Sequence, residues 1–205
     1  MAGIADNFSS TTVAIGPGKL YAGLAIPGAG GRLILHTDGT PDSTQNPSAL
    51  HLGYTESGVE MKLSHTLTGF SADESNFPIL SRVTAEEASI SGSLLQVVDF
   101  DIQILLHPLA TRSNLAGTQG MTFGGDTMFD YSSVAVIFPI EGSSSPIVYG
   151  VFHLYKAVND AGMAAKITSK ALGASPFAFK GHAVSTRAAG DQVGRMYRQT
   201  AGATS

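Results

Sequence analysis

The chain of 205 residues contains no cysteine. Disulfides and thiolate metal sites are therefore excluded, and the redox compartment is left open. Tryptophan is also absent, and charged residues make up only 14% of the chain, against roughly 25% in an average soluble protein. With 24 glycines beside so little charge, we expect part of the surface to be covered by partners rather than by water.

Signals for secretion and membrane insertion are also lacking. Residues 1–12 have neither a basic region nor an apolar core, so we expect no secretory leader. No uncharged apolar run approaches the roughly 20 residues that span a bilayer. We therefore expect a protein without a membrane role that stays where it is made.

The formal net charge of -4 is unevenly distributed. Residues 1–150 carry 14 acidic and 5 basic residues, a sum of -9, whereas residues 151–205 carry 2 acidic and 7 basic residues, a sum of +5. A basic quarter can indicate nucleic-acid binding, but these bases form no run and have few aromatic neighbours. This separation of acidic and basic residues along the chain also suits copies that stack head to tail, with acidic surface against basic surface.

Hydrophobic periodicity predicts a mainly β fold of about seven or eight strands with one helix, and closure of the sheet as a sandwich or barrel. We expect one β domain over 12–187 between an N-terminal arm, 1–11, and a C-terminal arm, 188–205, that orders on a partner. The helix is predicted at about 97–109. The strands are predicted at 12–26, 51–54, 59–68, 79–95, 132–140, 147–158, 164–171 and 176–185.

Two segments have no predicted strand. The first, at 27–50, is rich in glycine, proline and polar residues around the apolar patch Leu33, Ile34 and Leu35, and a loop of this length is usually functional. The second, at 112–129, is again rich in glycine and polar residues.

The predicted strands 59–68 and 79–95 each alternate apolar residues with small or hydroxyl-bearing ones. A period of two places the two kinds of side chain on opposite faces of a strand. The polar face suits either a solvated sheet surface or the wall of a water-filled lumen, and the pattern leaves both open.

Candidate catalytic and metal-binding residues form no recognisable site. His36 with Asp38 is at most half of a metal site, and His65 lies on the apolar side of its strand. Glu86 and Glu87 point to opposite faces, so they cannot act as a pair. Phosphate-loop, zinc-protease and nucleophile-elbow motifs are absent from the sequence. We therefore expect no enzyme, no metal and no cofactor.

The order of several motifs resembles the siphophage-type major tail tube protein family. The family shows a V-x-x-G-P-G-x-L-Y strand, an LGYT entry, an acidic turn, a V-T-x-E strand followed by a helix, and a late F-x-A segment. The first strand corresponds to Val13 to Tyr21, the LGYT entry to Leu52 to Thr55 with Gly58, and the acidic turn to Ala72 to Glu74 with Pro78 and Ile79 nearby. The V-T-x-E strand corresponds to Val83 to Ile90, and the late segment to Phe152 to Lys156 followed by Phe177 to Ala183. The loop at 27–50 is longer and richer in glycine than the family's usual one.

The resemblance implies a β-sandwich or half-barrel with one flanking helix. It also implies a structural virion protein that self-assembles into hexameric rings, stacked as the hollow tail tube through which DNA is ejected. Neighbouring subunits would pair the open sheet edges. The implied lumen-facing residues are Glu60, Lys62, Ser64, Thr66, Thr68, Ser89, Ser91 and Ser93. The implied contacts between subunits and rings are Leu33, Ile34, Leu35, Arg195 and Arg198.

The resemblance also implies the partners and the location of the protein. Its partners would be further copies of itself, the tape measure protein, and the tail tip or baseplate and tail terminator proteins. DNA would pass without specific binding. The protein would lie in the phage tail, and in the host cytoplasm during assembly. The alternatives are another virion ring protein of the same fold, such as a terminator, hub or decoration protein, and a carbohydrate-binding β-sandwich.

Overall fold

The structure, a computed structural model, describes residues 18–70, 80–95, 99–115, 118–125, 128–140, 147–164, 173–200 and 202. Within these ranges the fold is mainly β with one short helix, which confirms the predicted fold class. The strands are β1 (Lys19–Ala22), β2 (Leu50–His51), β3 (Thr55–Phe70), β4 (Leu80–Leu94), β5 (Ala110–Leu115), β6 (Thr118–Phe123), β7 (Ser132–Ile140), β8 (Val148–Asn159), β9 (Ser175–Gly181) and β10 (Gly194–Thr200), and the helix is α1 (Phe100–Leu106).

One antiparallel sheet contains all of these strands except β5 and β6, which form a separate hairpin. Its order is β2-β1-β7-β8-β9-β4-β3, and β10 also pairs with β8. The long strand β8 therefore has two partners along one edge. It pairs with β10 over residues 148–154 and with β9 over residues 157–159.

Apolar residues cover both faces of this sheet. The first core includes residues of the helix and of β1, β4, β7, β8 and β9, among them Leu20, Ile90, Leu94, Ile102, Leu106, Val134, Phe152, Leu154, Phe177 and Phe179. The second core, on the opposite face, contains Tyr21, Leu24, Leu33, Leu35, Ala135, Ile137, Tyr149 and Val151. Because β7 and β8 contribute to both cores, their buried residues run without the alternation of a one-sided sheet.

The helix is shorter than predicted, seven residues against the predicted range 97–109. Its N-cap is Asp99, whose Oδ1 accepts a hydrogen bond from the backbone N–H of Asp101 at 2.9 Å. His107, the C-cap, has ψ near 83° rather than a helical value, because the residue before a proline is disfavoured in the α conformation and Pro108 follows. Asp101 also forms an ion pair with Arg112. Asp99 and Asp101 therefore both have structural roles.

Two segments differ from their predicted state. The polar stretch 112–129 contains most of the β5–β6 hairpin, whose polar residues gave no alternating apolar pattern. The predicted C-terminal arm contains β10, which pairs with β8 over seven residues, so that part of the arm belongs to the sheet of its own chain. Almost all of the strand predicted at 164–171, the start of that at 12–26 and the arm 1–11 lie outside the described residues.

Candidate assembly surface

The β3–β4 hairpin extends beyond the rest of the sheet. β4 pairs with β9 only from Ser89 to Leu94, so its residues 80–88 have β3 as their strand partner in the described structure. β3 is the last strand of the sheet, and none of the described strands pairs with its outer edge, which is 16 residues long. The far part of the hairpin is therefore a two-stranded ribbon, which is marginally stable on its own.

One face of the ribbon is polar, and the register brings the eight predicted lumen-facing residues onto it. Glu60 lies opposite Ser91, and Lys62 lies opposite Ser89. Side chains two residues apart share a face, which extends the face to the whole set. These eight residues, all exposed or half-buried, are Glu60, Lys62, Ser64, Thr66, Thr68, Ser89, Ser91 and Ser93.

The charges on this polar face balance. Glu60 and Glu87 are offset by Lys62 and Arg82, which the register places on the same side. The pairing shifts by one residue at Thr84, whose hydroxyl donates to the Thr66 carbonyl at 3.2 Å. Small hydroxyl groups, rather than net negative charge, thus characterise the face between residues 60 and 68, beyond which Phe70 and Leu80 lie opposite each other on the same side.

The other face of the ribbon is mostly apolar and is exposed over much of its length. Near the body of the protein it begins with Ile90, which is fully buried in the first core. Further out the apolar side chains lose their cover, and Leu63 and Leu67 are 66% and 55% exposed. Met61 and Val83 are also exposed on this face. His65 and Glu86 lie opposite each other on this face, between Leu63 and Leu67. The exposed apolar side chains therefore form two groups separated by one polar pair, and such groups favour an interaction site.

A cleft separates the ribbon from β10. It encloses about 340 Å³ and is lined on one side by Leu63 and Ala88 and on the other by Val193 and Met196. The cleft opens where β9 ends, because β10 takes the position beside β8 there without pairing with β4. Met196 is 60% exposed at its rim.

The predicted contacts between subunits at Leu33 and Leu35 are corrected by the structure. The two side chains are 2% and 1% exposed, and both belong to the second core. Ile34, between them, is half-buried. Loop 27–50 thus uses its apolar patch to pack on its own sheet, which the sequence could not distinguish from an exposed patch.

The two predicted contact arginines differ in their surroundings. Arg195 donates to the Gly31 carbonyl at 3.0 Å and pairs with Asp191 at 3.0 Å. It is therefore engaged within its own chain. Arg198 is exposed and remains available for contact with a partner.

Loop 27–50 is held by a set of polar contacts from the C-terminal segment, here called the Arg187 anchor. Arg187 donates from Nη1 to the Pro27 carbonyl at 2.7 Å and from Nη2 to Asp191 at 2.7 Å. Its guanidinium also lies 4.1 Å from the centre of the Tyr155 ring. The hydrogen bond from Arg187 is the main cause that lowers the pKa of Asp191. No motif in the sequence indicated this cluster.

His153 lies beneath this anchor and is 1% exposed. Its Nε2 is 2.6 Å from the Ser133 hydroxyl, while its Nδ1 has no hydrogen-bond partner among the described residues. Burial, with a smaller effect of the nearby Arg187 charge, lowers the pKa of His153 to about 4. The neutral imidazole is therefore part of the folded core, and its burial excludes contact with a substrate.

The remaining candidate residues make no catalytic or metal site. His36 approaches Asp42 at 3.6 Å rather than Asp38. Glu86 and Glu87 face opposite sides of β4, where their partners on β3 are His65 and Ser64. Across the described ranges no group of three or more potential ligands could hold a metal ion.

In the described part of the chain no helix has the length and apolar character needed to cross a membrane. Neither the models of known protein families nor the curated protein sequences match this chain.

Proposed function

We propose that the chain is a structural subunit of the siphophage tail tube type, which assembles with its own copies into stacked hexameric rings around a hollow lumen. The observation that carries this proposal is the β3–β4 ribbon, which has a small polar face, an apolar face and an open edge. A monomer would expose all three to water. In a ring the polar face lines the lumen while the apolar face and the edge meet neighbouring subunits.

The composition of the polar face supports passage of DNA without specific binding. Its balanced charges and hydroxyl groups give a phosphate backbone no basic track to bind. In this proposal the protein needs no cofactor and catalyses no reaction. Its other partners are the tape measure, tail tip or baseplate and terminator proteins, and it resides in the virion after assembly in the host cytoplasm.

Electron microscopy of the purified protein, over a concentration series and with tail-tip complexes as seeds, tests the proposal. We expect hollow tubes with a regular axial repeat. Closed single rings that never stack would favour a terminator or hub protein of the same fold. A seeded sample that stays monomeric at high concentration would contradict assembly as the function.

The lumen assignment has a separate test in Ser91→Arg. A ring of six such subunits would place six added positive charges on the DNA path, so we expect tubes that assemble but slow DNA ejection in particles carrying the variant. Ser185→Arg, in an exposed turn after β9, is the matched control. Normal ejection through tubes of Ser91→Arg would remove this face from the lumen.

A further inference from the structure

We propose that the β3–β4 ribbon is a flap that closes on β10 within a single chain, so that β4 and β10 become paired strands and the cleft between them disappears. The bulge at Thr84 favours the open conformation. This inference concerns the isolated subunit, so it goes beyond the proposed function and does not depend on it.

Two free strand edges face each other across the cleft. Towards the tip of the ribbon, β4 has no described strand on this side beyond Ser89, and β10 pairs only with β8 among the described strands. Residues 86–88 of β4 and 194–196 of β10 line the cleft. Each wall therefore presents a strand edge that no described strand pairs, and such an edge is a template for pairing.

The directions of the two strands suit direct pairing. β9 runs antiparallel to both β8 and β4, and β10 also runs antiparallel to β8. β10 thus runs in the same direction as β9, whose position beside β8 it continues. β4 and β10 are therefore antiparallel, and a closed flap prolongs the β4–β9 ladder with a second antiparallel ladder.

The level at which β10 begins follows from its pairing with β8. The last residue of β9, Gly181, lies opposite Ala157, and the first residue of β10, Gly194, lies opposite Leu154. The pairing of β8 with β7 shows that β8 has one extra residue between Leu154 and Ala157. Gly194 therefore lies two levels beyond Gly181, towards the tip of the ribbon.

The same count along β4 identifies the residues that meet. Ala88 lies beside Gly181, since its carbonyl oxygen is 3.3 Å from the Cβ position at that glycine. Two levels beyond Ala88 is Glu86. In the closed flap Gly194 therefore lies opposite Glu86, and the pairing of β4 with β10 continues from there towards the tip.

Apolar side chains become covered when the flap closes. Two residues beyond Gly194 is Met196, and the corresponding residue of β4 is Val83, because Thr84 is an extra residue in the pairing with β3. Met196 projects on the side of the first core, since it lies opposite Phe152, and Val83 projects on the same side. They are 60% and 45% exposed, so closure lets each cover the other.

The bulge at Thr84 explains why the flap is open. A bulge bends its strand and increases the local twist, and a two-stranded ribbon already twists more than a wide sheet. Both effects turn the free edge of β4 away from β10. Closure is therefore opposed by twist and favoured by covered apolar side chains and new backbone hydrogen bonds. A partner can reach Met196, Val83 and the two edges only in the open conformation.

Oxidation of methionine measures closure. Deletion of Thr84 removes the extra residue while the other pairs of β3 and β4 stay in register, so it favours the closed flap. Hydrogen peroxide oxidises exposed methionine, and we expect Met196 to react at least about fivefold more slowly in the deletion variant than in the parent. Met128, which is 81% exposed and lies outside the ribbon and β10, is the internal reference with an unchanged rate. Mass spectrometry of peptides measures both rates.

A disulfide tests the same geometry with the bulge in place. The chain has no cysteine, so Val83→Cys with Met196→Cys provides a single pair of thiols. Opposed residues of paired strands have Cβ atoms about 5 Å apart, which a disulfide can bridge with small adjustments. In dilute protein under mild oxidation, we expect this intramolecular disulfide to form at least about tenfold faster than in the control pair Val83→Cys with His51→Cys. His51 lies on β2 at the opposite end of the sheet.

The two measurements separate closure from the role of the bulge. A disulfide no faster than in the control pair would overturn closure. A fast disulfide with unchanged oxidation of Met196 would keep closure and remove the role of Thr84. If the deletion prevents folding, the disulfide decides alone, because both of its positions are exposed. Neither readout involves assembly, so either result leaves the proposed function to its own test.

Discussion

His153 shows how a single buried residue makes the stability of this fold depend on pH. In the folded protein its pKa lies at about 4, while the unfolded chain has the ordinary value of about 6.5. Between these values the unfolded state binds more protons than the folded state. The contribution of the neutral His153 to the free energy of unfolding is therefore complete above pH 6.5 and is lost as the pH falls towards 4.

The paired substitution His153→Phe with Ser133→Ala removes the titrating ring and its hydrogen-bond partner together. A difference of about 2.5 pKa units corresponds to about 3 kcal/mol, so we expect the parent to lose up to about 3 kcal/mol more stability than the variant between pH 7 and pH 4. Urea unfolding at both pH values measures the difference. Burial also lowers the pKa of His51, but that residue is present in both proteins.

The variant His65→Gln, at an exposed histidine, serves as the control. We expect its stability to depend on pH as that of the parent does. If the paired variant kept that dependence in full, His153 would not be its source. No pattern in the sequence indicated this role. His153 became a core residue because apolar layers cover both faces of β8.

At the scale of the structural elements, the Arg187 anchor explains why a loop of 24 residues, 27–50, can be ordered with little regular structure. Its apolar patch packs in the second core, and Arg187 and Arg195 hold the Pro27 and Gly31 carbonyls. Backbone groups of a packed loop need such partners. The C-terminal segment therefore decides where the loop lies.

Arg187→Gln removes the anchor's charge and its contact with Asp191. We expect trypsin to cut after the exposed Arg32 about tenfold faster than in the parent, which corresponds to about 1.4 kcal/mol of lost local stability when cleavage follows transient opening. Mass spectrometry of the fragments over time measures the rate. Arg198→Gln, on the exposed side of β10, should leave the rate unchanged, and equal rates for both variants would mean that the anchor does not hold the loop.

At the scale of the whole molecule, the apolar face of the ribbon allows the proposed assembly to be tested separately from the stability of the monomer. Leu67 is exposed in the single chain, so removing its side chain takes little from the monomer. In an assembled ring the same side chain would be covered, and burying a leucine contributes roughly 2 kcal/mol.

Leu67→Ser should therefore change the unfolding free energy of the monomer by less than about 0.5 kcal/mol. It should raise the concentration needed for assembly at least about tenfold, because one covered contact per subunit is lost. Sedimentation velocity measures both the monomer and its assemblies. Ile26→Ser, an exposed apolar residue outside the ribbon, is the matched control. Unchanged assembly by Leu67→Ser would place this face outside any interface.

The sequence by itself determined the class of fold and most of its strands. Periods of two at 59–68 and 79–95 mark strands with two unlike faces, and the register puts the polar residues of both on one side. Local chemistry also located the helix, since an N-capping aspartate and Pro108 limit its two ends. These features depend on near neighbours in the chain, which a sequence displays directly.

Only the tertiary structure decided which side chains are covered. Leu33 and Leu35 resemble an exposed patch until the sheet is present beneath them, and residues 194–200 resemble an arm until β8 supplies hydrogen-bond partners. The same holds for the Arg187 anchor, where residues 160 positions apart meet. Burial and pairing are properties of distant contacts, so the periodicity of one segment cannot reveal them.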